Sequence, residues 1–173
     1  MKKIAFATAL FTLISFGVKS QNPNQVSARL STNQFELGYQ RKFIQQKIWG
    51  ETYIGLGNQD INKKFDDIVT GLRIGTPVLV NKKNVINIAA GIGLYFSNNE
   101  IYSIVTPVYS GFIAYNRFIG KTEKHSLLIN LGYQYGKKDY KQEYSIDDIY
   151  TATIGSFKVS PVYFSVGYGF HFK

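Results

Sequence analysis

The chain has no cysteine. That excludes a disulfide framework, a thiolate zinc site, an iron–sulfur site and a cysteine nucleophile. It also excludes a lipoprotein anchor, which is attached through a cysteine at the mature N-terminus. Histidine is nearly as scarce: His125 and His171 are the only two. After residue 20 no stretch of about eighteen residues is apolar throughout, so no transmembrane helix is available, and no segment sustains a helical stripe. Acidic residues are few, 11 Asp plus Glu against 20 Lys plus Arg, giving a net charge of +9 over 173 residues.

What is present is a folded chain's share of hydrophobic residues, 45%, which argues against global disorder. Aromatics make up 16%, almost all of them the 13 Tyr and 13 Phe. Both types suit pleated, half-buried surfaces and boundaries with one oily and one wet side. The N-terminus reads Met1-Lys2-Lys3, then a nearly unbroken apolar run from Ile4 to Val18, then Val18-Lys19-Ser20. A basic start, a short apolar run and small residues before a break are the order of a secretory signal peptide. The expectation is a signal over residues 1–20, cleaved after Ser20, and one domain over 21–173. The alternative is an anchor that stays attached, but the run falls short of the roughly 20 residues a spanning helix needs.

Strict alternation recurs beyond that point. Ile68, Thr70, Leu72, Ile74, Thr76 and Val78 share one face, with Val69, Gly71, Arg73, Gly75 and Pro77 on the other. Ile86, Ile88, Ala90, Ile92, Leu94 and Phe96 repeat the pattern, as do Leu127 to Tyr135 and Val162 to Phe172. Turn chemistry places strands near 25–31, 34–43, 48–57, 68–79, 85–96, 106–118, 125–136 and 160–172. That is eight strands, most of them long for a soluble sheet and of membrane-spanning length. Links at 44–47, 80–84 and 119–124 are short; those at 58–67, 97–105 and 137–159 are longer and polar. Short and long links alternate, as in an outer-membrane barrel with periplasmic turns and outer loops. Residues 149–157 also alternate. An even strand count leaves them in the last loop, or as an extension of the final strand.

The chain ends Ser165-Val166-Gly167-Tyr168-Gly169-Phe170-His171-Phe172-Lys173. Gly167 with Phe170 and Phe172 resembles the C-terminal assembly signature of outer-membrane β-barrel proteins, apart from the added Lys173. Signal, long alternating strands and ending together resemble the small eight-stranded outer-membrane β-barrel proteins of Gram-negative bacteria. The resemblance implies an all-β, antiparallel up-and-down transmembrane barrel in the cell outer membrane. It further implies recognition of the last strand by the barrel assembly machinery, contact with outer-membrane lipids and a structural or surface-interaction role through the outer loops, with the surface ligand unnamed.

A soluble, secreted lipocalin-like barrel binding a small apolar ligand is the alternative, with Ile86, Ile88, Ile92 and Leu94 inside. Glycine favours the membrane reading: Gly71, Gly75, Gly91, Gly93, Gly132, Gly167 and Gly169 fall on the non-apolar face, where a crowded interior needs small residues. No catalytic set is expected. His125-Ser126 stands beside a turn, but outer-membrane lipid A deacylases carry a His–Ser motif that this sequence does not match, and no nucleophile–base–orienter set is visible. Asp66-Asp67 and Asp147-Asp148 lack the spacing of an oxygen-ligand calcium loop, so solvated loop charge is the reading. No cofactor and no metal are expected. Nucleic acid is not expected either, because the excess positive charge gathers at the short-link end: nine basic residues, Arg41 and Lys173 among them, against Glu123. Such a rim suits anionic headgroups.

The inner face receives the charges. Glu36, Glu51 and Arg73 share it, while Phe35, Leu37, Ile54, Leu56, Leu72 and Ile74 face outward. A charge facing lipid near the midplane costs several kcal/mol, and a lone charge in the lumen is also costly. Arg73 is therefore expected to bond Glu51 or Glu36, with Gln40, Asn87, Asn130 and Gln134 completing a polar network that plugs the lumen.

Overall fold

The computed structural model describes residues 22–45, 47–58, 67–96, 105–146 and 149–173. The expected signal peptide and its cleavage site, Asp66, and Asp147-Asp148 lie outside the described residues. Among the described residues ten strands run in chain order: β1 (Asn24–Ser31), β2 (Gln34–Phe43), β3 (Ile48–Gly57), β4 (Asp67–Asn81), β5 (Asn84–Phe96), β6 (Val105–Ile119), β7 (His125–Tyr135), β8 (Lys137–Ile146), β9 (Ile149–Lys158) and β10 (Val162–Phe172). Eight of them close into an antiparallel barrel in the order β1-β2-β3-β4-β5-β6-β7-β10. The closing pair is β1 with β10, in register from Asn24↔Phe172 to Ser31↔Ser165. Closure leaves no exposed strand edge in the wall, so every wall strand has two neighbours for its backbone groups.

β8 and β9 form a separate two-stranded ribbon. It extends the β7–β10 pair beyond the wall, with Lys137 opposite Lys158 and Ile146 opposite Ile149. Residues 149–157 thus belong to the last long connection and add no strand to the wall. Their alternation is real, but their partner is local: β8, a polar run whose sequence alternates only weakly, with Tyr140, Tyr144 and Ile146 at one parity. The ribbon returns Phe157 and Val159 onto the barrel end, where they are buried with Tyr53, Val69, Tyr95 and Val108. The Phe157 and Tyr95 ring centroids are 5.5 Å apart.

The two-residue β1–β2 link, Thr32-Asn33, lies at the ribbon end. The β2–β3, β4–β5 and β6–β7 links gather at the opposite end. The positive-φ residues Ile44 (46°), Gln45 (55°), Lys82 (50°), Glu123 (51°) and Gly120 (79°) all fall in them. An irregularity interrupts the β4–β5 pairing: it steps from Pro77↔Asn87 to Leu79↔Ile86, leaving Val78 as an extra residue. Pro77 has no N–H to give the ladder, and a bulge is where a sheet tolerates that.

The faces are opposite to those of a soluble ligand carrier. Leu72 (61% exposed), Leu131 (60%) and Ile74 (59%) point outward, as do Ile88, Ile92 and Leu94, while Glu36 (0%) and Arg73 (5%) point in. The lipocalin-like alternative required Ile86, Ile88, Ile92 and Leu94 inside, and the outward direction of Ile88, Ile92 and Leu94 overturns it. Inner glycines make room for large neighbours. A Cβ on Gly71 would come 2.5 Å from the Tyr53 hydroxyl, one on Gly91 would come 2.8 Å from Arg73 Cγ, and one on Gly167 would strike Arg29 Cγ and the Ala28 carbonyl. On the outer wall Gly111 has nothing within 4 Å of that position.

Overpacking of a filled interior costs about 1–3 kcal/mol, whereas an open surface position shifts stability by under about 0.5 kcal/mol. Gly167→Ala should therefore lower the urea midpoint of the refolded barrel clearly, and Gly111→Ala should leave it unchanged. Emission from Trp49, the single tryptophan, reports both transitions.

Candidate functional site in the lumen

Alternation brings four charges to the middle of the interior. Arg29 on β1, Glu36 on β2, Glu51 on β3 and Arg73 on β4 come from four successive strands and are all at most 5% exposed. The register explains the meeting: Arg29 is opposite Glu36, and Glu51 is opposite Arg73. Arg73 grips Glu36 with two parallel bonds, Nη1 to Oε1 at 2.8 Å and Nη2 to Oε2 at 2.6 Å. Its Nη1 also donates to Glu51 Oε1 at 2.7 Å. Arg29 Nη2 donates to the second Glu51 oxygen and to Ser27 Oγ, and Arg29 Nε lies 3.5 Å from Glu36 Oε1. Every charge thus touches both charges of opposite sign, and the group is neutral overall. Desolvating a single ion costs several kcal/mol even after relaxation. Pairing of each charge with both of opposite sign, with one bidentate contact, offsets these costs, although Nε of Arg29 and of Arg73 has no hydrogen-bond partner among the described residues.

Aromatic rings close the cage. The Arg73 guanidinium carbon sits 3.8 Å from the centroid of Tyr53, 5.8 Å from that of Phe112 and 5.7 Å from that of Tyr163. Ring faces are negative and attract the cation, and exclusion of water strengthens both this contact and the ion pairs.

The amides expected to join this network do not reach it. Asn87 Oδ1 accepts from Trp49 Nε1 at 3.1 Å. Asn130 donates to Ser165 Oγ at 2.9 Å. Gln134 donates to Asn33 Oδ1 at 3.3 Å and to the Ser160 carbonyl at 2.9 Å. Gln40 is buried and lines a cavity of about 20 Å3 with Trp49 and Asn87. Asn87, Asn130 and Gln134 thus bond to partners at their own levels of the barrel and not to the charges. Gln34 makes the link instead: it donates to Glu36 and accepts from the Tyr95 hydroxyl at 2.6 Å. Arg29 and Gln34 were readable as inward residues from alternation, but Arg29 lies in a short polar strand with weak patterning and Gln34 is the first residue of its strand.

The histidines also separate. His125 and Ser126 are neighbours in sequence and therefore point to opposite faces. His125 Nδ1 contacts the Tyr168 hydroxyl on the outside. Ser126 Oγ lies 2.8 Å from His171 Nε2 inside. Both members of that pair are at most 1% exposed, and His171 Nδ1 has no hydrogen-bond partner among the described residues. This pair lacks both an orienting carboxylate at Nδ1 and an open face for a substrate. Among the described residues no group of three or more His, Asp or Glu is placed to hold a metal ion.

Charges and amides inside, with Leu, Ile, Val, Phe and Tyr outside, invert the arrangement of a water-soluble barrel. The fold is that of a small membrane-spanning β-barrel. It is similar to the backbone structure of the Yersinia pestis outer membrane protein Ail in a phospholipid bilayer nanodisc, at 12% sequence identity and a TM-score of 0.41, covering 87% of this chain and 99% of that one. No family model matches the chain, and no curated protein does.

Removing one partner of a buried charge group strands the others, at about 3–5 kcal/mol. Arg73→Leu should therefore destabilise the barrel by that amount. The double variant Arg73→Leu/Glu36→Leu should recover most of the loss, since Arg29 and Glu51 still pair. Urea midpoints of the three proteins, refolded in the same detergent, check both statements.

Proposed function

We propose that this chain is an integral outer-membrane β-barrel whose lumen is plugged by its own side chains, and that it acts as a structural or surface-interaction protein and not as a pore or an enzyme. The observation that carries the reading is the neutral Arg29–Glu36–Glu51–Arg73 cluster, buried across the middle of the barrel inside an apolar wall. An eight-stranded barrel has an interior just wide enough for side chains to fill it. The layers above and below support a plug: Tyr95 and Phe157 at the ribbon end, and Trp49 with Asn87 towards the short-turn end. A wall displaying Leu72, Ile74, Ile113 and Leu131 to its surroundings exceeds what a soluble monomer tolerates, and wall strands of 8 to 15 residues bracket the length a tilted spanning strand requires.

In this reading the short turns face the periplasm and the β8–β9 ribbon projects outward. Partners meet the long connections, because loops carried on a rigid barrel are where recognition is placed. The signal peptide over residues 1–20 delivers the chain, and the assembly machinery engages β10 through Gly167, Phe170 and Phe172. Phe170 and Phe172 stack at 6.4 Å on that strand.

Fractionation of cells making the full chain tests the location. Recovery with outer membranes, and a band that migrates differently when boiled, are expected; recovery as soluble periplasmic protein overturns the reading. Planar-bilayer recordings test the plug. The wild-type barrel should show no stable ohmic conductance. Phe157→Ala should lower stability by about 3–5 kcal/mol and still show none, because the charge cluster lies below the ring. Steady conductance from the wild type would defeat the plug and leave the location standing.

A further inference from the structure

Two grooves run along the outer wall and meet at Tyr39 and Thr52. One, of about 580 Å3, passes Ala28, Leu37 and Thr70. The other, of about 740 Å3, passes Phe43, Gly50 and Ala90. Register explains the second depression. Arg41, Gly50, Ile74 and Ala90 are successive cross-strand neighbours, as are Tyr39, Thr52, Leu72 and Ile92. The wall is low where Gly50, Thr52 and Ala90 stand and high at the flanking large residues.

Arg41 stands at the short-turn end of this groove. It alternates with the outward Tyr39 and Phe43 and is exposed. Its guanidinium carbon lies 6.0 Å from the Phe43 ring centroid, and no acidic side chain forms an ion pair with it among the described residues. Its cross-strand neighbours are Asn24 and Gly50. An arginine on a lipid-facing wall is tolerated only near the interface, where its natural counter-charge is a phosphate. The same end carries Lys47, Lys82, Lys83 and Arg117, so the local field favours anions.

On the reading that this wall faces lipid, we propose that the groove of Arg41, Tyr39, Thr52 and Ala90 binds one anionic phospholipid of the leaflet on the short-turn side. Arg41 holds the phosphate, and an acyl chain lies over the small residues. A net-neutral headgroup satisfies the same cation less well, so the site discriminates by charge.

The test uses the full mature barrel in phosphatidylcholine nanodiscs, titrated with phosphatidylglycerol, with native mass spectrometry counting the lipid retained. Wild type should keep one phosphatidylglycerol in preference to phosphatidylcholine. Arg41→Gln should weaken that retention about five-fold. Ala90→Leu, which fills the groove and keeps the charge, should weaken it too. Arg117→Gln, an equal charge loss at the same end on β6, should not. Equal retention of both lipids, equal effects of Arg41→Gln and Arg117→Gln, or a second copy of the chain in place of lipid would each overturn the site. A heat-modifiability gel on the same samples separates the two levels: a barrel that inserts without lipid preference defeats the site alone, whereas one that never inserts defeats the membrane reading as well.

Discussion

Everything in the interior is arranged around the need to compensate Arg73. A buried guanidinium beside a single carboxylate would leave donors unmet and a large part of its desolvation cost standing. Here Glu36 receives it bidentately and Glu51 receives a third bond. Two carboxylates against one cation would in turn leave a net negative charge, and Arg29 restores neutrality from the strand that closes the barrel. The cluster therefore spans β1 to β4 and ties the closing strand to the middle of the sheet. Pairing of β1 with β10 and the charge balance of the lumen support one another.

Large inward side chains demand small ones opposite. Tyr53 occupies the space beside Gly71 and Gly93, and Arg29 that beside Gly167 and Gly38. The interior glycines thus follow from packing at fixed barrel radius and not from any need for unusual backbone angles; the positive-φ positions lie in the short turns. The outer wall obeys a different rule. Its small residues, Gly50, Thr52, Ala90 and Gly111, face no opposing element, and the relief they leave is available to whatever surrounds the barrel.

The two ends of the barrel are chemically unlike. One is basic and held by tight turns. The other carries the ribbon, whose Phe157 and Val159 fold back onto Tyr95, Val69 and Val108. With the charge cluster beneath, the interior is filled in layers, in which Gln134 bonds Asn33, Asn130 bonds Ser165 and Trp49 bonds Asn87.

Period-two alternation in the sequence determined the eight wall strands and their two faces, and the glycines on the non-apolar face pointed to which face lies inside. A strand exposes its two faces alternately whatever its neighbours, so Leu72 and Ile74 had to oppose Arg73 and Gly75. The placement of Glu36, Glu51 and Arg73 on one inner face followed from the same rule. Tertiary structure decided what alternation cannot encode. Register along tilted strands set which inward groups meet, so Arg29 and Gln34 joined the charges while Gln40, Asn87, Asn130 and Gln134 did not. Closure placed His171 against Ser126, which are 45 residues apart. Residues 149–157 became one half of a ribbon, because their partner was the polar, weakly alternating run just before them. Cross-strand distance is a property of the closed sheet, and no single strand's sequence contains it.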